Sequence, residues 1–376
     1  MYSYYLLENI IYVLFGLFLL VSSIQVFYYL RVFITPFLGK KSEKITSKQP
    51  VSVIICVKNE ADNLRKHLPA ILTQEFHEYE VIIVNDCSTD DTDTVIAEFM
   101  KKHDNLRTTS IMPNEKFSHG KKLAVTVGIK AAKYEWLVFV DADCFPVSNK
   151  WLSSIHSNFN KKEIVLGYGG YEHKKGLLNL YLRYDTVFIA FQYLGFAQVG
   201  QPYMGVGRNM SYKKSLFFKN KGFASHYDLF SGDDDLFINE TATASNTAVE
   251  VTKESFTRSV PKQTWGEWFT QKIRHFTTAN RYKAKHIFML GLEPFTRLAF
   301  YLLLVLLLVA EFNNQIVLGV IGVRFLLQIW LGILAKTKFE EKGLYFMIPI
   351  FDVVSIFMNF VLYCISRIRV RKLRWK

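Results

Sequence analysis

WLVFVDADC, residues 136–144, joins a run of five apolar residues to two carboxylates, Asp141 and Asp143, set one residue apart. The apolar run has no polar alternation, which suits a strand buried on both faces of a sheet. The acids that follow it admit two readings. One is a solvated turn; the other is a pair of hard oxygen ligands for a divalent cation. In an extended segment Asp141 and Asp143 project to the same side. Mg2+ and Mn2+ bind through few carboxylates together with substrate phosphates. The pair by itself leaves both readings open.

The same pattern recurs upstream. PVSVIICVKNE (50–60) and EVIIVNDCSTDDT (80–92) are β-branched apolar runs that end in polar clusters. Helical patterns separate them: ADNLRKHLPAILTQ (61–74), which Pro69 is expected to kink, TDTVIAEFMKKH (92–103), capped by Ser88 or Thr89, and KKLAVTVGIKAAK (121–133). Strands and helices alternating at this spacing predict an α/β domain with a parallel sheet. In such sheets the ligand lies beyond the carboxyl ends of the strands. Those ends carry Asn59 and Glu60, Asn85 and Asp86, then Asp141 and Asp143. The Asp86 cluster also fits a helix-capping loop. No GxGxxG follows the first strand and no GxxxxGKS/T occurs, which argues against dinucleotide and P-loop enzymes.

The flanks are of a different character. Residues 9–30 carry no charge, and about 20 such residues cross a bilayer. The stretch is long for a signal peptide and lacks a basic start and a small-residue cleavage site, so a retained anchor is expected. Residues 298–310, 315–335 and 344–366 are further candidate spans; the second holds Arg324, the third Pro349 and Asp352. Charges at that depth are expected to face protein or water. The expected domains are an anchor (1–38), a cytoplasmic domain (39–290), two or three C-terminal spans (291–366) and a basic tail (367–376). The excess of 46 Lys and Arg over 33 Asp and Glu then points to membrane lipids and phosphates, with no nucleic-acid partner. The four cysteines have no metal-binding spacing. Loop charge places the middle domain in the cytoplasm, yet three following spans leave the basic tail outside. Either segment 344–366 is re-entrant or interfacial, or the charge rule fails here.

Two more clusters carry candidate chemistry. SGDDDLF (231–237) holds Asp233, Asp234 and Asp235, three like charges that disfavour each other's ionisation. They suit a helix N-terminus, the simple reading of Asp233, or one of them is a general base with a raised pKa. TWGEWFTQKIRHF (264–276) reads as an amphipathic helix with Gln271, Arg274 and His275 on one side. That side is either a solvated face near the membrane or, through Arg274, a diphosphate contact. LLNLYLRYDTVFIAFQYLGFAQ (177–198) is too interrupted by Arg183 and Asp185 to span a membrane and reads as an interfacial or a core helix.

VKNE (57–60), NDCSTDDT (85–92), GKKLAVTVG (120–128), DAD (141–143), GVGRNMSYKK (205–214), GDDD (232–235) and QKIRH (271–275) occur in the order found in membrane-bound family 2 glycosyltransferases. Over residues 51–283 the chain resembles this family, which includes processive synthases and lipid-acceptor glycosyltransferases. The resemblance implies a GT-A fold with N- and C-terminal transmembrane helices and inverting transfer from a nucleoside-diphosphate sugar, expected to be a UDP-sugar. It assigns Glu60, Asp86, Lys121 and Asp141 to the donor, Asp143 to Mg2+ or Mn2+, and Asp234 to the catalytic base. Gln271, Arg274 and His275 fall on the acceptor and diphosphate side. His275 replaces the family's tryptophan and Thr126 an asparagine. The first change, with so few spans, favours a lipid or lipid-linked acceptor over a glycan polymer. The expected location is the cytoplasmic face of a bacterial inner membrane. A polymer-forming synthase and an inactive GT-A-like binding or scaffolding protein are the alternatives.

Overall fold

The computed structural model describes residues 2–38, 48–112, 120–159, 162–229 and 231–369. Most of the basic tail, residues 370–376, and the basic stretch 39–47 therefore lie outside the described residues.

The strands are β1 (Val51–Val57), β2 (Tyr79–Asp86), β3 (Leu106–Ile111), β4 (Trp136–Phe139), β5 (Cys144–Pro146), β6 (Ile164–Gly167), β7 (Gly169–Tyr171), β8 (Met210–Lys213), β9 (Thr247–Glu250) and β10 (Thr257–Ser259). Seven of them form one sheet in the order β3-β2-β1-β4-β8-β6-β9, and β5-β10-β7 form a second. β1 pairs in parallel with β2 and β4, β2 with β3, and β6 with β9, whereas β8 runs antiparallel to both β4 and β6. The sheet is thus mainly parallel, as the unbroken apolar runs require: β1 and β4 are buried almost throughout.

The helices are α1 (Tyr2–Phe27), α2 (Ala61–Leu72), α3 (Thr92–Met100), α4 (Lys121–Ala131), α5 (Trp151–His156), α6 (Leu177–Gln198), α7 (Lys214–Lys219), α8 (Asp235–Thr241), α9 (Trp265–Ala279), α10 (Ala284–Val309), α11 (Asn314–Lys338) and α12 (Ile348–Arg369). α4 sits directly on the sheet at Gly128, where a β-carbon would come within 2.7 Å of the Ile54 side chain. α3 starts at Thr92 after Asp91, not at a Ser88 or Thr89 cap. Those two residues instead tie the first two strand-end loops together. The Ser88 hydroxyl accepts from the Asn59 amide at 2.9 Å, and the Thr89 amide donates to Asn59 Oδ1 at 2.8 Å.

Two further expectations are corrected. A strand beyond β2 was not anticipated: β3 is an edge strand (LRTTSI) whose outward positions are polar, so it lacks the buried-strand pattern. WLVFV was expected to extend through Asp143. The strand ends at Phe139, and the Cys144 amide closes a turn on the Asp141 carbonyl at 3.0 Å. That turn brings the two carboxylates together, in place of strand alternation.

Four helical segments are long and apolar enough to cross a membrane: Glu8–Phe37, Ala284–Val309, Asn314–Lys338 and Ile348–Ser366. α6 is not among them; it is a core helix, with Arg183 buried and Asp185 paired to Lys272 of α9. The charges buried between the spans face one another. Asp352 accepts from Arg297 Nη1 at 3.2 Å, from Arg324 Nη2 at 2.8 Å and from the Tyr301 hydroxyl at 2.7 Å. An ion left unpaired at that depth is costly, and here none of these three charged groups is. Outside the spans, Glu341 between α11 and α12 inserts into the globular domain and is fully buried. It accepts from Arg183 Nε at 2.6 Å and from the Tyr168 hydroxyl at 2.9 Å, pairs with Arg258, and lies 3.1 Å from His173 Nε2. Despite burial, these partners hold its carboxyl down at about 2. Glu341 is the bolt between the membrane helices and the sheets.

Candidate active site

The carboxyl ends of β1 and β4 open on a polar pocket of about 80 Å3. Its walls include Lys121, Asp141, Asp143, Asp233, Asp234 and Arg274. They arrive from four separate parts of the chain. Lys121 is the first residue of α4, so its side chain leaves the helix start beside the strand ends. Asp141 and Asp143 come from the turn after β4. The acidic triplet follows Gly232, whose φ of +105° is a backbone conformation that glycine supplies without strain. Gln271, Arg274 and His275 line the pocket from α9.

Lys121 is the electrostatic hub. Its Nζ lies 2.8 Å from Asp141 Oδ1 and 3.1 Å from Asp233 Oδ2. Burial opposes its charge, but Asp141, Asp233 and Asp234 outweigh burial and hold the ammonium well above its ordinary range. Asp141 is desolvated in turn, yet Lys121, with Arg208 and Arg274, keeps it below the usual carboxylate value. Asp143 goes the other way: burial and the Asp141 charge push it up. Two carboxylates with opposite shifts mark a site short of positive charge at the second one.

Asp141, Asp143 and Cys144 bring one ligand atom each within 4.8 Å of one another. The two carboxylates fit a hard cation such as Mg2+ or Mn2+. Cys144 fits it poorly. It is buried, burial and the Asp143 charge hold it as a thiol, and it is hydrogen-bonded to Asp143 Oδ1 at 3.2 Å and within 2.8 Å of the Ser259 hydroxyl. It supports Asp143 sooner than it binds metal.

The triplet divides its labour. Asp233 faces Lys121. Asp235 accepts from the Tyr282 hydroxyl at 2.8 Å and from Thr278, fixing the loop to α9. Asp234 lies between them, accepting from the Gly207 amide at 2.8 Å and the Asp235 amide at 2.8 Å. Burial, then the charges of Asp233 and Asp235, push its carboxyl up to about 7, with Lys121 and the Gly207 amide pulling against them.

Beyond Asp234 a second pocket of about 260 Å3 begins, lined mostly by apolar side chains such as Ile189 of α6, Phe276 of α9, Leu290 of α10 and Tyr203 of the segment before β8. Asp234, Arg208, Gln271 and His275 belong to both pockets. Burial, then Arg274, Lys272, Arg208 and Lys121, drive the His275 imidazole well below its ordinary value, so it is neutral at physiological pH. Lys272 pairs with Asp185 across this second pocket.

Seven of the residues singled out from the sequence therefore meet here: Lys121, Asp141, Asp143, Asp234, Gln271, Arg274 and His275. Glu60 and Asp86 do not line the pocket. Asp86 is fully buried at the end of β2, and Glu60 accepts from the Asn63 amide at 2.6 Å. Burial raises the Glu60 carboxyl, and the charges of Asp143 and Asp141 contribute, so it adjoins the pocket. Sequence reasoning missed Arg208, Tyr171 and Lys262 as wall residues. Arg208 stacks on Tyr171, 4.9 Å from the ring centre to the guanidinium carbon. Its signal was present within GVGRNMSYKK; Lys262 and Tyr171 had none.

Residues 52–219 match the family model described as glycosyl transferase family 2. Over those residues the chain is similar to the family 2 glycosyltransferase domain. Over 93 residues, 25% of this chain and 21% of the relative, it is 37% identical to a poly-beta-1,6-N-acetyl-D-glucosamine synthase of Staphylococcus epidermidis. Over 111 residues, 29% of this chain and 35% of the relative, it is 37% identical to glycosyltransferase AglE of Haloferax volcanii. The matched stretches thus span between about a fifth and about a third of these relatives' lengths. The mannosyltransferase PcManGT of Pyrobaculum calidifontis, solved with GDP-Man and Mn2+, superposes with a TM-score of 0.57 at 16% identity. That superposition covers 92% of this chain and 99% of the other. The likeness shows the fold, which is GT-A with apolar helices at both ends.

Proposed function

We propose that this protein transfers a sugar, with inversion, from a nucleoside-diphosphate sugar to a lipid or lipid-linked acceptor at a membrane face. The observation that carries the reading is the meeting of a polar and an apolar pocket at one carboxyl group, Asp234. The polar side suits a diphosphate: Arg208, Arg274 and Lys262 line it, with Asp141 and Asp143 at its edge. Those two carboxylates would hold Mg2+ or Mn2+, which when bound neutralises charge on the diphosphate oxygens. The apolar side suits an acceptor whose body is hydrocarbon and whose hydroxyl reaches Asp234.

In the step proposed, Asp234 takes the proton of the acceptor hydroxyl. The freed oxygen attacks the anomeric carbon from the side opposite the leaving group. The bond from that carbon to the diphosphate oxygen breaks, and its electron pair leaves with the diphosphate, where Arg274 and Arg208 oppose the charge. His275, neutral, is left to orient the acceptor by hydrogen bonding. Glu60 beside the pocket and Asp86 buried at the end of β2 serve the nucleoside side of the donor in this reading. The catalytic unit is residues 39–290, on the cytoplasmic side of a bacterial inner membrane. PcManGT, solved with GDP-Man and Mn2+, supports the donor and metal classes.

A polymer-forming synthase is the second reading, favoured by the relative named for poly-N-acetylglucosamine synthesis. Membranes carrying the protein, supplied with radiolabelled nucleoside-diphosphate sugars and Mn2+, separate the two. Label in organic extract that disappears with Asp234→Asn supports transfer to a lipid. Label in insoluble polymer supports a synthase, and no Asp234-dependent transfer with any donor refutes both.

A further inference from the structure

A cavity of about 630 Å3 lies away from the catalytic pockets, between α1, the end of α6 and the start of α10. Phe27, Tyr28, Phe196, Met289 and Leu292 give it apolar walls, and Arg31 stands at its edge. α1 and α10 are two of the helices able to cross a membrane, and the cavity lies where both meet the globular domain. The surface around it is apolar and open: Phe27 is 57% exposed and Phe288 68%. The Tyr28 hydroxyl donates to the Met289 carbonyl at 2.6 Å, which fixes the wall between the two helices.

The rim is basic. Arg31 is exposed and makes no ion pair among the described residues. Lys285, at the start of α10, donates to Gln201 Oε1 at 3.1 Å, and Gln201 lines the cavity; Lys285 likewise has no carboxylate partner among the described residues. Arg31 lies near the end of the span Glu8–Phe37 and Lys285 is the second residue of the span Ala284–Val309, so both stand at the span ends that adjoin the globular domain. Two unneutralised cations above a hydrocarbon groove are complementary to a phosphate carrying acyl chains.

The groove is separate from the acceptor pocket. Tyr203 lines that pocket and Phe196 lines the groove. Their rings meet edge to face with centres 5.8 Å apart, so one aromatic layer divides the two spaces.

We infer that this groove binds an anionic phospholipid of the bilayer, acyl chain between α1 and α10 and phosphate at Arg31 and Lys285. The lipid is a structural ligand and not the substrate. The inference rests on α1 and α10 crossing a membrane and is independent of which acceptor is used.

The test is native mass spectrometry of the full chain released from nanodiscs of phosphatidylcholine with and without phosphatidylglycerol. The wild-type protein retains phosphatidylglycerol in preference to phosphatidylcholine. Each of Arg31→Gln and Lys285→Gln weakens retention about fivefold, and the pair roughly 25-fold. Met289→Trp, which fills the groove without changing charge, also releases the lipid. Gel filtration and an unchanged melting temperature in detergent check that each variant is folded. Equal retention of both lipids, or retention unaffected by the charge and filling variants, overturns the inference. So does glycosylation of the retained lipid when donor is added, since the groove would then hold the acceptor, or a dimer that buries the groove.

Discussion

Asp234 offers a quantitative test, because its carboxyl is pushed up to about 7 in a structure that represents the free protein. The acid limb of kcat/KM reports groups of the free enzyme. A base is competent only when ionised, and with a midpoint of about 7 roughly 9% of Asp234 is ionised at pH 6 and about 91% at pH 8. The expected rate therefore rises about tenfold between those pH values and levels off above. The neighbouring imidazole cannot produce this limb, since His275 is held well below its ordinary value and is already neutral across the window. The origin of the shift can be tested separately. Asp233 is the second cause after burial, so Asp233→Asn removes a like charge and moves the limb toward acid. Asp234→Asn, by contrast, abolishes the limb and lowers turnover by roughly 10²–10⁴-fold, the range for losing a general base. The assay is initial-rate transfer from a nucleoside-diphosphate sugar at constant ionic strength, with Mn2+ saturating at every pH. A flat profile between pH 6 and 8, or an Asp234→Asn variant keeping more than about a tenth of wild-type turnover, refutes the assignment.

Two further outcomes follow from the geometry. Asp143→Asn removes one of the two carboxylates of the candidate cation site, and titration calorimetry of Mn2+ in the presence of nucleoside diphosphate is expected to show at least roughly tenfold weaker binding. Unchanged Mn2+ affinity would place the metal elsewhere. Glu341→Gln leaves Arg183 and Arg258 without their buried counter-ion. Its carboxyl, held at about 2 against an ordinary 4.5, stabilises the fold by about 3 kcal/mol above pH 4.5, a contribution lost as pH falls toward 2. Hydrogen exchange of the α11–α12 loop at neutral pH should then speed up on the order of a hundredfold, and an unchanged rate would show that the bolt does not hold.

The sequence by itself determined the layers and much of the site. Unbroken apolar runs such as VIICV and WLVF can only be buried on both faces, so β1, β2 and β4 were legible, and so were the acids that end them. Helical spacing likewise put Gln271, Arg274 and His275 on one side of α9. Long apolar runs with few charges marked the four apolar helices, because local composition decides whether a helix tolerates lipid. The edge strand β3 was missed because its outward face is polar and carries no burial signal.

Only the tertiary structure decided which charges meet. Lys121 reaches Asp141 and Asp233 because α4, the β4 turn and the loop before α8 converge on one strand end. Arg208 enters the pocket just ahead of β8, a strand paired antiparallel with β4 across more than sixty residues of chain. Glu341, one of two adjacent acids between two apolar helices, finds Arg183 and Arg258 only once those helices dock on the sheets. Burial and periodicity are local properties and can be read along a chain. A shifted pKa, a paired charge at membrane depth or a cavity between helices depends on distances across the fold, which spacing in sequence does not encode.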